Sequence, residues 1–189
     1  MTARKAVDNE LTKETIMEAA RILFQEQGYR KVSMRQIAKV LGYSHGSIYY
    51  HFKNKAELFY ALVNQDFAML DNLLMKVMDQ AFESPYEQLQ EVCLRFIHFS
   101  FTHKSHYEMM FLIQDDELEG VKNSADESYD GFAKAVWKLC PKHANVHSIF
   151  SLFISLQGFI THYLKANVPF DEIESFAKSH VAFITRGLC

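Results

Sequence analysis

Three helix starts follow one another within about twenty residues of this chain, a spacing that leaves room only for short helices joined by tight turns. In Val32-Ser33-Met34-Arg35-Gln36-Ile37, Ser33 is placed to cap a helix, Gln36 to complete a capping box and Val32 to staple onto Ile37. Tyr43-Ser44-His45-Gly46-Ser47-Ile48 repeats the device, with Ser44 as the cap and Tyr43 opposite Ile48. Asn54-Lys55-Ala56-Glu57 opens another helix with an Asn cap and Glu57 three residues on. Upstream, Ile16, Ala19, Ala20, Leu23 and Phe24 recur at helical spacing, and Gly28 is placed to end that helix.

Two short helices around a tight glycine-containing turn have the shape of a helix-turn-helix. Ala38 is small where the helices must approach, and Gly42 supplies the left-handed backbone that the turn requires. Ile37, Ile48, Phe24 and Phe52 are assigned to the shared core. The segment Ser44–Phe52 then offers Ser, His, Tyr, Tyr and His with no acidic residue, which suits approach to phosphates and base edges. The same local pattern would also serve a structural hairpin that binds nothing.

Charge separates the two ends of the chain. Residues 1–60 hold ten Lys/Arg against six Asp/Glu, a net +4, and the remainder holds ten against seventeen, a net −7. A basic head on an acidic body suits a polyanionic partner that touches one end. Hydrophobic residues make up 49% of the chain and charged residues 23%, which excludes disorder. Pro85, Pro141 and Pro169 fall between apolar-periodic segments, so the expected class is all-α. Cys93, Cys140 and Cys189 show no CxxC or zinc spacing and are expected to be reduced, as in the cytoplasm. The N-terminus lacks an apolar secretory core. The apolar run Ile149–Ile160 is broken by polar residues and too short to span a bilayer, so no membrane role is expected.

The segment Arg21–Leu58 resembles the DNA-binding signature of the TetR family of bacterial transcriptional regulators. The resemblance covers roughly residues 11–63 and is carried by Leu23-Phe24, Gly28-Tyr29, Ser33, Ile37-Ala38, Gly42, Ser44, Gly46, Ile48-Tyr49, His51-Phe52, Lys55 and Leu58. The family usually has Thr where Val32 stands, Val or Ala at Tyr43 and often Leu at Ile48, departures that bear on operator choice alone. By resemblance, the Ser44–Phe52 helix enters the major groove and the Ser33 helix lies across the backbone. Ser33, Arg35, Tyr49, His51 and Lys55 then face phosphates, with Arg35 also within reach of a guanine, and Gly46 lets the backbone approach the duplex. Ser44, His45, Ser47 and Tyr50 remain as the base-reading surface, with His45 and Tyr50 foremost.

The resemblance implies about nine helices: a DNA-binding domain over 1–54 and an effector-binding and dimerisation domain over 55–189. One helix is expected from Lys55 to about Phe82. Ser84-Pro85-Tyr86-Glu87 starts another, whose face Leu89, Val92, Cys93, Phe96 and Ile97 points to a core while Arg95, His98 and Thr102 share another side. A shorter apolar piece spans Met109–Ile113, and the acidic stretch Asp115–Asp126 reads as a loop. His147–Leu164 is apolar nearly all round, with Ser151, Ser155, Gly158 and His162 at helical spacing. A last helix spans Asp171–Gly187, with Ile173, Phe176, Ala177, Val181 and Ile184 as its apolar positions.

By resemblance these last two helices pair with their copies in a homodimer, through Ser151, Ser155, Gly158, Phe176, His180 and Ile184. Its two heads would read an inverted repeat in double-stranded DNA. A pocket for an unidentified small lipophilic effector is expected around Arg95, Phe99, Met110, Trp137, Gln157 and His162, although aromatic stripes of this kind also serve as plain core.

No cofactor is implied. His143 and His147, like His98, His103 and His106, lack a carboxylate or cysteine that completes a metal set, and they read as solvent-facing or capped. No Gly-rich phosphate loop, GxSxG, HExxH or cysteine nucleophile marks an enzyme. The leading reading is a repressor released by its ligand. A regulator controlled by a protein partner and a helical interaction module that does not bind DNA stay open beside it.

Overall fold

The computed structural model describes residues 10–113, Leu118 and residues 121–189. Among the described residues there are nine α-helices and no strand. The first four are α1 (Lys13–Gln27), α2 (Met34–Leu41), α3 (His45–His51) and α4 (Lys55–Met78), with a 3-10 turn at Tyr29–Lys31. The body continues with α5 (Pro85–Thr102), α6 (Lys104–Phe111), α7 (Val121–Leu139), α8 (Val146–Ala166) and α9 (Phe170–Ile184).

The head is assembled by its caps. Thr12 Oγ1 accepts from the Thr15 amide at 3.1 Å and starts α1. Ser33 Oγ accepts from the Gln36 amide at 3.3 Å while Gln36 Oε1 accepts from the Ser33 amide at 2.7 Å, a complete capping box. Ser44 and Asn54 start α3 and α4 in the same way, at 3.1 and 2.8 Å. Each such cap contributes about 1 kcal/mol, enough to matter for helices of two turns. Gly42 ends α2 at φ 75°, ψ 16°, the left-handed conformation that a side chain would strain. Ile37, Ile48 and Phe52 are buried beneath these helices, and the Phe59 ring packs edge-on against Phe24 and Tyr29 at 5.5 and 5.0 Å.

Three body boundaries differ from the sequence reading. The fourth helix stops at Met78 and not near Phe82, because Nε2 of Gln88 on α5 donates to the carbonyls of Val77 and Met78 at 3.0 and 3.2 Å. Those are acceptors that a continuing helix would have used. The stretch read as a loop over Asp115–Asp126 is helical from Val121 onward, as the start of α7, while Asp115–Glu117, Glu119 and Gly120 lie outside the described residues. The last helix ends at Ile184, and Gly187 follows in a turn at φ 82°.

The thiol expectation is also corrected. Cys140 and Cys189 are joined in a disulfide, with Cα atoms 4.5 Å apart. Cys93 is a free thiol, fully buried on α5, and burial pushes it up to about 12.

Head and body meet at one charged cluster. Arg21 of α1 is buried and donates from Nη1 and Nη2 to the two carboxylate oxygens of Asp66 on α4, at 2.6 and 2.7 Å. His106 of α6 donates from Nδ1 to Oδ1 of the same carboxylate at 2.8 Å, since an ionised carboxylate only accepts. His103 stands 5.3 Å from His106, ring to ring, and burial together with that neighbour holds its imidazole below the usual histidine value. Removing one member of such a pair strands the other charge. Asp66→Asn should therefore lower unfolding free energy by about 3–5 kcal/mol in urea denaturation, whereas Arg21→Met combined with Asp66→Leu should recover most of the loss. A single variant within about 1 kcal/mol of the parent would show that the pair is not what joins head to body.

Candidate nucleic-acid interface

The exposed surface of α2 and α3 follows from which residues the head core consumes. On α3 only Ile48 is buried, and the remaining positions face outward to differing extents. Tyr50 is 88% exposed and Tyr49 43%, unusual for aromatic side chains on a helix of seven residues. His45 packs edge-on against Tyr49 with ring centroids 4.5 Å apart, and Tyr50 against His51 at 5.3 Å. The two ring pairs stiffen the surface without burying it. Ser44 and Ser47 share a hydroxyl hydrogen bond of 2.6 Å, and Ser44 Oγ also accepts from the Ser47 amide as the cap.

Gly46 is open. A Cβ built there would meet only Ser44 Oγ, at 3.9 Å, so nothing within the chain requires a glycine at this exposed position. On α2, Arg35 and Lys39 are exposed beside the Ser33 cap. No acidic residue stands between Glu26 and Glu57, while Arg30, Lys31, Arg35, Lys39, Lys53 and Lys55 do. The positive potential over the head thus comes from residues on both sides of the two short helices.

Lys55 is held more firmly than its place in the sequence suggested. Its Nζ donates to the Tyr29 carbonyl at 3.0 Å and lies 4.0 Å over the Tyr29 ring, tying the start of α4 to the turn after α1. Lys13 sits 5.7 Å over the Phe52 ring in a comparable way. Neither contact was readable from spacing, since each joins residues from separate helices.

The residues expected around an effector scatter. Phe99 and Met110 are buried, and Gln157 is half-buried and accepts a hydrogen bond from the Tyr107 hydroxyl. Arg95 is on the surface, paired with Glu91 at 2.5 Å, and Trp137 and His162 are exposed. The centre of the body is instead occupied by rings: Phe96 lies within 5.9–6.4 Å of Tyr107, Phe111, Phe132 and Phe153. A cavity of about 380 Å³ opens between α4 and α7, floored by Leu74, Met75, Met78 and Phe132, and includes none of the expected residues. His143 and His147 are exposed, whereas His106 belongs to the Asp66 cluster.

Of the residues expected at a dimer interface, Ser151, Gly158 and Phe176 are exposed, and Ser155, His180 and Ile184 are half-buried. His180 stacks on Phe159 at 4.8 Å, with Nε2 3.3 Å from Ser155 Oγ. The outer faces of α8 and α9 also expose Val146, Phe150, Ile154 and Phe183, which spacing alone had not singled out.

Residues 16–62 match the model of "Bacterial regulatory proteins, tetR family". An HTH-type transcriptional regulator from Staphylococcus aureus strain MRSA252 is 33% identical over 98 residues, 52% of this chain and 52% of that protein. The chain spans about half the length of the curated relatives it matches. Among solved structures, the fatty acid degradation regulator FadR from Bacillus halodurans aligns with a TM-score of 0.76 at 17% identity, covering 96% of this chain and 98% of that one. NalD, the secondary repressor of the MexAB-OprM multidrug efflux pump in Pseudomonas aeruginosa, aligns with a TM-score of 0.72 at 22% identity, covering 93% and 94%. At these identities the likeness is one of fold.

The division between surface and core on α3 is directly measurable. Tyr50→Ala should leave unfolding free energy within about 0.5 kcal/mol of the parent, whereas Ile48→Ala should cost about 2–5 kcal/mol. Equal losses would mean that Tyr50 serves packing.

Proposed function

Because residues 16–62 belong to the tetR family of bacterial regulatory proteins, we propose that the chain is a sequence-specific DNA-binding transcriptional regulator acting as a homodimer in the bacterial cytoplasm. The observation that carries this reading is α3: a capped, acid-free helix that leaves Tyr50 almost wholly in solvent and holds an exposed glycine its own packing does not need. A groove-entering helix calls for that combination, because the glycine lets backbone approach phosphate and the exposed side chains meet base edges. In this reading Ser33, Arg35, Tyr49, His51 and Lys55 contact the backbone, and Ser44, His45, Ser47 and Tyr50 read sequence.

The homodimer is supported by the apolar outer faces of α8 and α9, where Phe150, Ile154, Phe176 and Phe183 are each more than half exposed. Surfaces of this kind usually mark an interface. Introducing Asp at both Phe176 and Phe183 should convert a dimer to a monomer in sedimentation analysis, and an unchanged dimer would place the interface elsewhere.

A small lipophilic effector and release of repression complete the reading. Operator and effector would each prefer a different separation of the two heads, so that each weakens the other's binding. The structural likeness to a fatty acid degradation regulator and an efflux-pump repressor is compatible with such an effector. The ring-filled body is equally compatible with a regulator answering to a protein partner. Thermal stabilisation by a lipophilic compound, lost when operator duplex is added, favours the effector; stabilisation by no compound favours the partner.

The proposal is tested by selecting duplexes from a random library with purified protein at moderate salt. An inverted repeat among the survivors supports a dimer that reads sequence, and no retained duplex even at low salt removes the reading. On the selected operator, His51→Ala should weaken binding to all sequences alike and reduce the salt slope by about one. His45→Ala should instead cost roughly 1–3 kcal/mol and relax preference at one position.

A further inference from the structure

Cys140 follows directly on the end of α7, its amide donating to the Val136 carbonyl at 2.9 Å, and Cys189 lies beyond the turn that follows α9. Their disulfide therefore runs from the α7–α8 connection to the far end of α9. The two residues are unequally placed. Cys140 is buried and Cys189 is exposed. Beside them a cavity of about 450 Å³ opens to solvent, lined by both cysteines together with Tyr86, Pro141, Lys142 and His143. Its volume is that of a small-ligand site, and the Lys142 ammonium in its wall favours both a thiolate and an incoming anion. The remaining thiol, Cys93, is fully buried on α5 and does not line this cavity, whereas Cys140 and Cys189 both do.

We propose that Cys140 and Cys189 form a reversible thiol–disulfide site, entered through this cavity by a small anionic thiol, that fastens or frees the C-terminal end of α9. The proposal rests on the regulator reading in one respect: a protein that binds chromosomal DNA works in a reducing compartment, where disulfides are chiefly transient and redox-sensing. In the reducing direction, the thiolate of the small molecule attacks the exposed Cys189 sulfur. The protein disulfide breaks, Cys140 leaves as a thiolate that takes a proton from solvent, and a mixed disulfide remains on Cys189. A second small thiolate attacks the small-molecule sulfur of that mixed disulfide and expels the Cys189 thiolate. Two small thiols are thereby oxidised to one disulfide, and the protein disulfide is reduced to two thiols. The small disulfide drives the same steps backwards.

Opening the link changes what holds α9. Its last turn is then held by buried Val181, by Ile184 packed on the core and by the Tyr86 hydroxyl of α5, which donates to the Ala182 carbonyl at 3.4 Å, with Leu188 buried just beyond it. Phe176 and Phe183 are carried on this helix, so a looser end disturbs the exposed apolar face directly.

The test equilibrates the full chain in glutathione buffers from fully reduced to fully oxidised, traps thiols by alkylation and reads each cysteine by mass spectrometry. The pair should open and reclose to the same occupancy from either direction while Cys93 stays unlabelled in the native protein. The reduced form should melt roughly 5–15 °C lower, with faster amide exchange over residues 181–188. Cys140→Ser and Cys189→Ser should each show the lower midpoint in every buffer. Lys142→Ala should slow exchange with glutathione several-fold more than exchange with 2-mercaptoethanol, whose attacking thiolate carries no carboxylate. A pair that stays closed in fully reduced buffer, or opens without moving the midpoint or the exchange, overturns the proposal. Equal slowing with both thiols overturns its anionic-thiol part. Failure to bind any duplex in either redox state would remove the regulator reading and leave these thiol results standing.

Discussion

The carboxylate of Asp66 is where the two halves of the molecule become one. It is 1% exposed and accepts from a guanidinium on α1 and an imidazole on α6, while its own helix belongs to both head and body. A charge so deeply buried is tolerable only when its oxygens are fully used, so the relative positions of three helices are set by one group's need for partners. Hydrophobic contact alone would permit small sliding between α1 and α6. The bidentate fork on one side and a single imidazole nitrogen on the other permit far less. The asymmetry matters, because the two-point contact faces the head and the one-point contact faces the body.

Within the head, orientation is fixed by local chemistry. Capping serines and an asparagine begin three helices, Gly42 turns the chain at a left-handed backbone angle, and Ile37 and Ile48 clamp α2 against α3 from below. Lys55 then anchors the start of α4 to Tyr29, so the helix that leaves the head is fastened to the turn that follows α1. The outcome is a platform whose exposed Ser33, Gln36 and Asn54 are tied into its helix starts while Tyr50 is left almost wholly in solvent.

This division explains what could be read from the amino-acid sequence. The caps of α2, α3, α4 and α5, the turn at Gly42 and the buried face of α5 all depend on residues within a few positions of one another, and their spacing states them outright. The Arg21–Asp66 pair joins positions 45 apart, and the disulfide joins positions 49 apart. No periodicity encodes such meetings, which arise only once helices double back. Arg21 even occupies a buried position in a helix whose core face was otherwise legible, since an arginine in that stripe reads as surface until its partner is known. The end of α4 was misplaced for a related reason: Gln88, on the following helix, decides where it stops. The pocket residues failed most widely, because an isolated polar group in an apolar stretch faces solvent as readily as a cavity, and Arg95, Trp137 and His162 do.

The placement of Asp66 along α4 has a mechanical meaning. At about 1.5 Å of rise per residue, the helix extends roughly 17 Å from Asp66 to its capped start at Lys55 and roughly 18 Å to its sealed end at Met78. Both ends are clamped, one by Asn54 and Lys55 in the head and the other by Gln88 in the body. A strut held near its midpoint is a lever with arms of nearly equal length. Any tilt about that midpoint carries the floor of the α4–α7 cavity and the base of α3 through nearly the same distance in opposite senses, so the geometry inverts a displacement without magnifying it.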